Sequence, residues 1–267
     1  MTPRGAAGAG GPVTRVQLVL ASASPARLTT LRNAGLHPLV RVSKVDEDAV
    51  LDALLAATPG AGPAQQVQAL AEAKAADVVA ALSVAAAGSP ITPAGQAGPA
   101  DAPLAGLDPH RPTVLVGCDS MLEFGGQVVG KPADAAEARE RLRQLSGHSA
   151  VLYTGHSVHY LPAGLASPAA CGPAPAPGTG AVDVQAGGTS ATKINFARLA
   201  DAEIDAYVAT GEPLHVAGSF TIDGLGGAFV EGVEGDHHGV VGISLPLLRR
   251  LLIEVGVAWP ALWESSR

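Results

Sequence analysis

The strongest constraint on this chain is what two of its segments cannot do. Residues 84–112 and 162–190 consist mainly of Ala, Gly, Pro and Ser and carry little apolar periodicity. Neither can bury enough apolar surface to offset the entropy of ordering it, so both read as low-complexity surface insertions. Each is bracketed by a strand-like run, Thr113–Gly117 after the first and Ala150–Tyr160 before the second. That placement suits loops inserted into one domain better than linkers between two. The expected organisation is a disordered tail over residues 1–14, one domain over 15–260 with insertions at 84–112 and 162–190, and a C-terminal tail over 261–267.

The remainder alternates strand and helix. Apolar runs predict strands at Val16–Leu20, Leu39–Val42, Thr113–Gly117, Val151–Tyr160, Ala191–Phe196 and Ala228–Val233. Ser24-Pro25 sets an N-cap and an N1 proline ahead of Leu28 and Leu31, and Gly35 closes that helix. Asp134-Ala-Ala-Glu137 has the form of a capping box, followed by Ala138, Leu142 and Leu145 on one face and a stop at Gly147. Further helices are expected at Ala64–Leu82, Asp201–Ala209 and Leu245–Val255. Helices interleaved with strands predict an α/β fold with a central sheet covered on both faces.

Composition narrows the partners. With 24 acidic against 17 basic residues the net charge is −7, which argues against a nucleic-acid backbone or an anionic membrane. No apolar run approaches the roughly 18 residues of a membrane span. Arg4 and Arg15 ahead of Val16–Leu20 imitate a signal peptide, but the apolar run is too short and contains Gln17. Two cysteines, Cys118 and Cys171, make no disulfide framework. A cytoplasmic protein is expected.

Chemistry concentrates in a few places. Ser22-Ala-Ser24-Pro25-Ala26-Arg27 lies between a strand and a helix, where hydroxyls, free backbone N–H groups, the helix dipole and a guanidinium can converge on a phosphate chain. It is not a Walker loop, and the plainer reading is an N-cap serine beside a surface arginine. Val114–Gly117 reads as a strand that ends just before Asp119, presenting a carboxylate at the sheet's C-terminal edge as a metal ligand or general base, or else a turn aspartate. The chain holds 4 lysines, so Lys74 and Lys131, the latter in Gly130-Lys-Pro132, carry weight. Asp46-Glu47-Asp48 reads first as a helix N-terminus and second as a source of a Mg²⁺ ligand. Asp236-His237-His238 reads as a polar turn rather than a metal site. Gly242-Ile-Ser244-Leu-Pro246 lacks the closing glycine of a nucleophile elbow, and Cys118 reads as inert packing.

Taken in order, these segments resemble the Maf family of nucleoside triphosphate pyrophosphatases. The resemblance rests on Leu20–Arg27, Val45-Asp-Glu47, Leu70–Lys74, Gly117–Ser120, Gly130–Pro132, Leu145-Ser-Gly147, Tyr207–Pro213, Ala217–Gly224 and Val240-Val-Gly242. It implies a central mixed twisted sheet flanked by helices, with two lobes and a cleft, like inosine triphosphate pyrophosphatases. It also implies cleavage of a nucleoside triphosphate, including non-standard ones, to the monophosphate and pyrophosphate with Mg²⁺ or Mn²⁺, and leaves a homodimer open. Carried over residue by residue, Asp119 matches the proton acceptor, and Ser22, Arg27, Glu47, Lys74 and Lys131 match polar cleft positions; Ser22, Ser24, Arg27, Lys74 and Lys131 are the expected phosphate contacts. Glu47 and Asp119 would hold the metal.

A carboxylate is a weak base at neutral pH, so most of such catalysis would be electrostatic and positional. The rival reading is a nucleotide-binding regulator of cell division without chemistry; a sugar-nucleotide transferase would want a glycine-rich loop instead. Relatives that resemble dTTP/UTP enzymes carry arginine, threonine and glutamine where this chain has Ala26, Ser120 and Asp223. Asp223 only accepts hydrogen bonds, so it is expected to favour guanine or another amino-bearing base over thymine and uracil. The competing reading is a tight turn at Asp223-Gly224 with its side chain in solvent.

Overall fold

The computed structural model describes residues 15–88, 105–163 and 184–263. It contains seven strands, β1 (Gln17–Leu20), β2 (Leu39–Val40), β3 (Thr113–Phe124), β4 (Gln127–Val129), β5 (Ser149–Leu161), β6 (Val184–Phe196) and β7 (Val230–Glu234). The helices are α1 (Pro25–Asn33), α2 (Glu47–Ala57), α3 (Pro63–Gly88), α4 (Ala135–Leu145), α5 (Asp201–Ala209), α6 (His237–Val241) and α7 (Leu245–Glu254). The strands form one mixed sheet in the order β2-β1-β3-β5-β6-β7, with β4 also on β3. β1 is parallel to β2 and β3, and the remaining pairs are antiparallel. A mixed sheet flanked by helices is the expected fold class.

Local chemistry explains where the helices start. Ser24 accepts from the Arg27 N–H with Pro25 at the first turn, Asp46 caps α2 through the Ala49 N–H, and Asp134 caps α4 through two N–H groups. Connections from β1 to β2 and from β2 to β3 run in opposite directions across the sheet. Parallel crossovers of one hand therefore lay α1 on one face and α3 on the other. The core follows that division. Leu20, Leu31, Val116, Ile243 and Leu248 pack on the α1/α7 face, whereas Ala75 and Val78 of α3 pack with Val19 and Leu115 on the other. β3 and β5 then continue into a second half, where Leu122, Leu152, Ile194 and Phe220 pack together, and Leu142, Ile204 and Tyr207 join α4 to α5.

Several expectations need correction. β3 does not stop at Gly117 but runs to Phe124, because β5 supplies antiparallel partners from Thr113 to Glu123. β6 begins at Val184, inside the segment read as an insertion, and pairs with β5 from its first residue. α3 extends to Gly88, and Leu107 packs under it while the Asp108 N–H donates to Gln17 Oε1, so the first insertion is also shorter than its composition suggested. The expected C-terminal tail is not loose at its start: Ala261 and Leu262 are buried, and the Val16 N–H donates to Ala261 O. The expected tail over 1–14 lies outside the described residues. Among the described residues no helix is long and apolar enough to cross a membrane.

Candidate active site

The site grows from an opening in the sheet. β1 pairs with β3 as far as Leu20 and Val116, and the Ala21 N–H makes the last bond to Val116 O. On the same edge β4 pairs with β3 only from Leu122 onward. Between them, residues 117–121 of β3, paired with β5 on the other side, have no strand on this edge among the described residues, and the chain leaving β1 turns there into α1. Asp119 therefore stands mid-strand at an open edge rather than at a strand end. Successive side chains of a strand alternate between faces, so Asp119 and Ser120 meet different helices.

On the α3 face, glycines let the helix sit directly on the sheet. A Cβ at Gly117 would lie 2.4 Å from Ala71 O, and one at Gly155 would lie 2.3 Å from Val67 O. This close seat brings Lys74 of α3 over Asp119 of β3. Lys74 Nζ donates to Asp119 Oδ1 at 2.5 Å and pairs with Glu47 Oε1 at 2.8 Å. Lys74 and Asp119 are nearly buried, at 13% and 12% side-chain exposure, while Glu47 is open at 54%. Asp119 Oδ2 makes no hydrogen bond to the described residues, yet no buried polar side-chain atom lacks a partner, so Oδ2 reaches solvent. Glu47 opens α2, as a helix N-terminus would, and its carboxylate faces the lysine.

On the α1 face, Arg27 is held at three points. Its Nε donates to Gly242 O at 2.7 Å, Nη1 to Ser22 Oγ at 2.9 Å and Nη2 to Ser120 Oγ at 3.1 Å. Thr154 Oγ1 donates to Gly239 O at 2.8 Å, which makes it the acceptor for Ser120 Oγ at 2.9 Å. Ser120 thus spends its proton on Thr154 and turns its lone pairs to Arg27. A guanidinium has five N–H bonds, so two remain for a ligand. Ser22 Oγ also accepts from the Ser24 N–H, which shapes the turn before α1. Ala26 is half-buried in the first turn of that helix. Thr154 was not foreseen, because a lone hydroxyl in an apolar strand carries no signal until its neighbours are known.

The other expected residues lie further along. Lys131 is exposed between β4 and α4 and makes no ion pair with the described residues. Asp223 is exposed and likewise makes no hydrogen bond to them, so the structure does not join it to Ala26 or Ser120. Its loop is nevertheless fixed. The Glu212 carboxylate accepts from Tyr207 Oη, Thr221 Oγ1 and the N–H groups of Leu225 and Gly226. Burial alone would raise this carboxyl, but the hydrogen bonds, Thr221's foremost, hold it below its ordinary range. Burial pushes the Tyr207 phenol up. Glu212 falls inside the Tyr207–Pro213 motif, but nothing in that motif announced a hub.

Two buried groups are excluded from acid-base work. Burial pushes the Cys118 thiol up to about 12, as inert packing requires. His156 is wholly buried; its Nε2 accepts from the Ser244 N–H at 2.8 Å, so its proton sits on Nδ1 and donates to Thr154 O. Burial and the nearby Arg27 charge push this imidazole down to about 4. Asp236 caps α6 through the His238 and Gly239 N–H groups, as a polar turn would. Among the described residues no three His, Cys, Asp or Glu side chains gather as a metal cage. Glu47 and Asp119 both contact Lys74 Nζ, and two such carboxylates are a donor set that could hold a Mg²⁺ ion whose shell substrate phosphates complete.

Comparison with known proteins adds an independent result. The model of the family described as Maf-like protein matches residues 17–255. A Rhodococcus jostii protein named nucleoside triphosphate pyrophosphatase is 47% identical over 248 residues, spanning 93% of this chain and 96% of its own. Proteins of the same name from Saccharopolyspora erythraea and Streptomyces coelicolor are 46% and 42% identical, over 93% and 96% of this chain and 97% and 98% of theirs.

Proposed function

Because this chain belongs to the Maf-like protein family, we propose that it hydrolyses nucleoside triphosphates to the monophosphate and pyrophosphate. The observation that carries this is the Lys74–Asp119–Glu47 cluster at the open edge of β3, one residue from the serine that braces Arg27. Asp119 Oδ2 takes the proton as water attacks the α-phosphorus, the bond to the bridging oxygen breaks, and pyrophosphate leaves. Lys74 fixes Asp119 through Oδ1 and offsets charge that spreads over the phosphate oxygens. Arg27 offers its two remaining N–H bonds to the same oxygens, and Ser22 and Ser24 shape the turn that receives them. Lys131 reaches the phosphate chain from the other half of the molecule. A Mg²⁺ or Mn²⁺ ion held by Glu47 and Asp119 would supply Lewis-acid neutralisation of the triphosphate. We read the enzyme as cytoplasmic and its substrates as including non-standard nucleotides.

Base selection follows the exposed carboxylate of Asp223, which suits amino-bearing bases such as guanine and cytosine and repels the carbonyl-flanked N–H of thymine and uracil. The test is pyrophosphate release from GTP, CTP, dTTP and UTP with Mg²⁺, using wild type, Asp119→Asn and Asp223→Gln. Asp119→Asn should stay folded and lose turnover by roughly 10²–10⁴, the range for a general base. Wild type should prefer GTP or CTP, and Asp223→Gln should narrow that preference. A folded protein that binds nucleotide but releases no pyrophosphate would instead fit a non-catalytic regulator. Preference for dTTP or UTP would refute the carboxylate argument alone.

A further inference from the structure

The turn Gly130-Lys131-Pro132-Ala133 carries a lysine with no ion pair among the described residues, yet the backbone on either side of that lysine is held tightly. Gly130 O accepts from Arg141 Nη1 at 2.6 Å and from the Gly218 N–H at 3.2 Å. The Ala133 N–H donates to Glu137 Oε2 at 2.7 Å. Arg141 and Glu137 are themselves joined, Nη2 to Oε1 at 2.5 Å, one turn apart on α4. The Arg141 side chain is only 11% exposed, and its Nη1 also reaches Ser219 Oγ at 3.3 Å. Ser219 is wholly buried and, at φ 60°, is the one non-glycine among the described residues in the left-handed region. A Cβ at the neighbouring Gly218 would lie 2.5 Å from Leu122 Cδ2, so this bend is pressed against β3 and cannot shift freely.

We propose that Arg141, with Glu137, is a positioning residue: it clamps the Gly130–Ala133 turn to the rigid Gly218–Ser219 bend so that Lys131 is aimed at the triphosphate. An exposed lysine loses side-chain freedom when it binds, and a mobile turn would add backbone entropy to that loss. A turn fixed at both ends removes the backbone part before substrate arrives, which is how preorganisation raises affinity for the phosphate chain. A planar guanidinium suits this role because three of its N–H bonds can serve Gly130, Ser219 and Glu137 from one rigid fork. The inference rests on the phosphate role of Lys131 proposed above.

The test is a double-mutant cycle on pyrophosphate release, with Arg141→Met, Lys131→Ala and the double variant. Lys131→Ala should lower kcat/KM at least tenfold, and Arg141→Met should lower it severalfold, mainly through KM. The double variant should be no worse than Lys131→Ala, because a clamp has nothing left to aim. Arg141→Lys, which keeps one donor for Gly130, should recover part of the loss. Arg139→Met, which removes the exposed Arg139–Asp205 ion pair on the same helix, should leave KM unchanged. If Arg141→Met does not fold, Glu137→Ala releases the same turn from Ala133 and enters the same cycle. Losses that multiply in the double variant would overturn the clamp while leaving the Lys131 role intact. Normal kcat/KM in Lys131→Ala would overturn that role, and the clamp with it.

Discussion

Gly117→Ala tests whether the α3 seat makes the site. The new Cβ would lie 2.4 Å from Ala71 O and 3.0 Å from Ala75 Cβ and N. Ordinary contact begins about 1 Å further out, and neither the backbone oxygen of a helix interior nor a strand backbone can rotate away. α3 must therefore lift from β3 by most of that distance. Overpacking of this kind costs roughly 1–3 kcal/mol. The same lift carries Lys74 off Asp119, and a misplacement near 1 Å can lower turnover on the order of 10²-fold. Urea unfolding gives the stability, and pyrophosphate release at saturating substrate gives kcat. Gly232→Ala, where a Cβ meets nothing within 4 Å, is the control and should stay within about 0.5 kcal/mol of wild type. If Gly117→Ala matches that control in stability and in kcat, the close seat does not position Lys74 and the argument fails.

Two further perturbations follow from particular residues. His156 is held near 4 in the folded protein against about 6.5 unfolded, so the unfolded state binds the extra proton between those values. Stability is complete above pH 6.5 and should fall by about 3 kcal/mol as pH drops to 4, a slope that urea titrations should find reduced in His156→Gln. Replacing residues 162–190 with a short Gly/Ser linker removes Val184–Ser190, which pairs with β5 from Thr154 to Tyr160. Thermal melting should then fall by many degrees, and an unchanged midpoint would show that this half of β6 contributes nothing.

What the sequence by itself determined is local. The caps at Ser24, Asp46 and Asp134, the proline at position 25 and the apolar cores of the strands all follow from backbone chemistry within four residues. The residues Ser22, Arg27, Glu47, Lys74, Asp119 and Lys131 are singled out by their type and by the order of the motifs they lie in, and the structure brings Lys74 to Asp119 and Glu47 and Arg27 to Ser22. What only the tertiary structure decided is length and partnership. Gly117-Cys-Asp-Ser120 reads as a strand end because glycine and aspartate are poor strand formers, yet β5 continues the ladder through it and makes it mid-strand. The Ala- and Gly-rich start of β6 is a strand for the same reason, held by neighbours rather than by its own side chains. Thr154, Glu212 and Arg141 become hubs only when the fold brings them acceptors at residues 239 and 130 and a donor at residue 221. A hydrogen bond needs its partner within about 3 Å, and only the folded chain brings such distant residues that close.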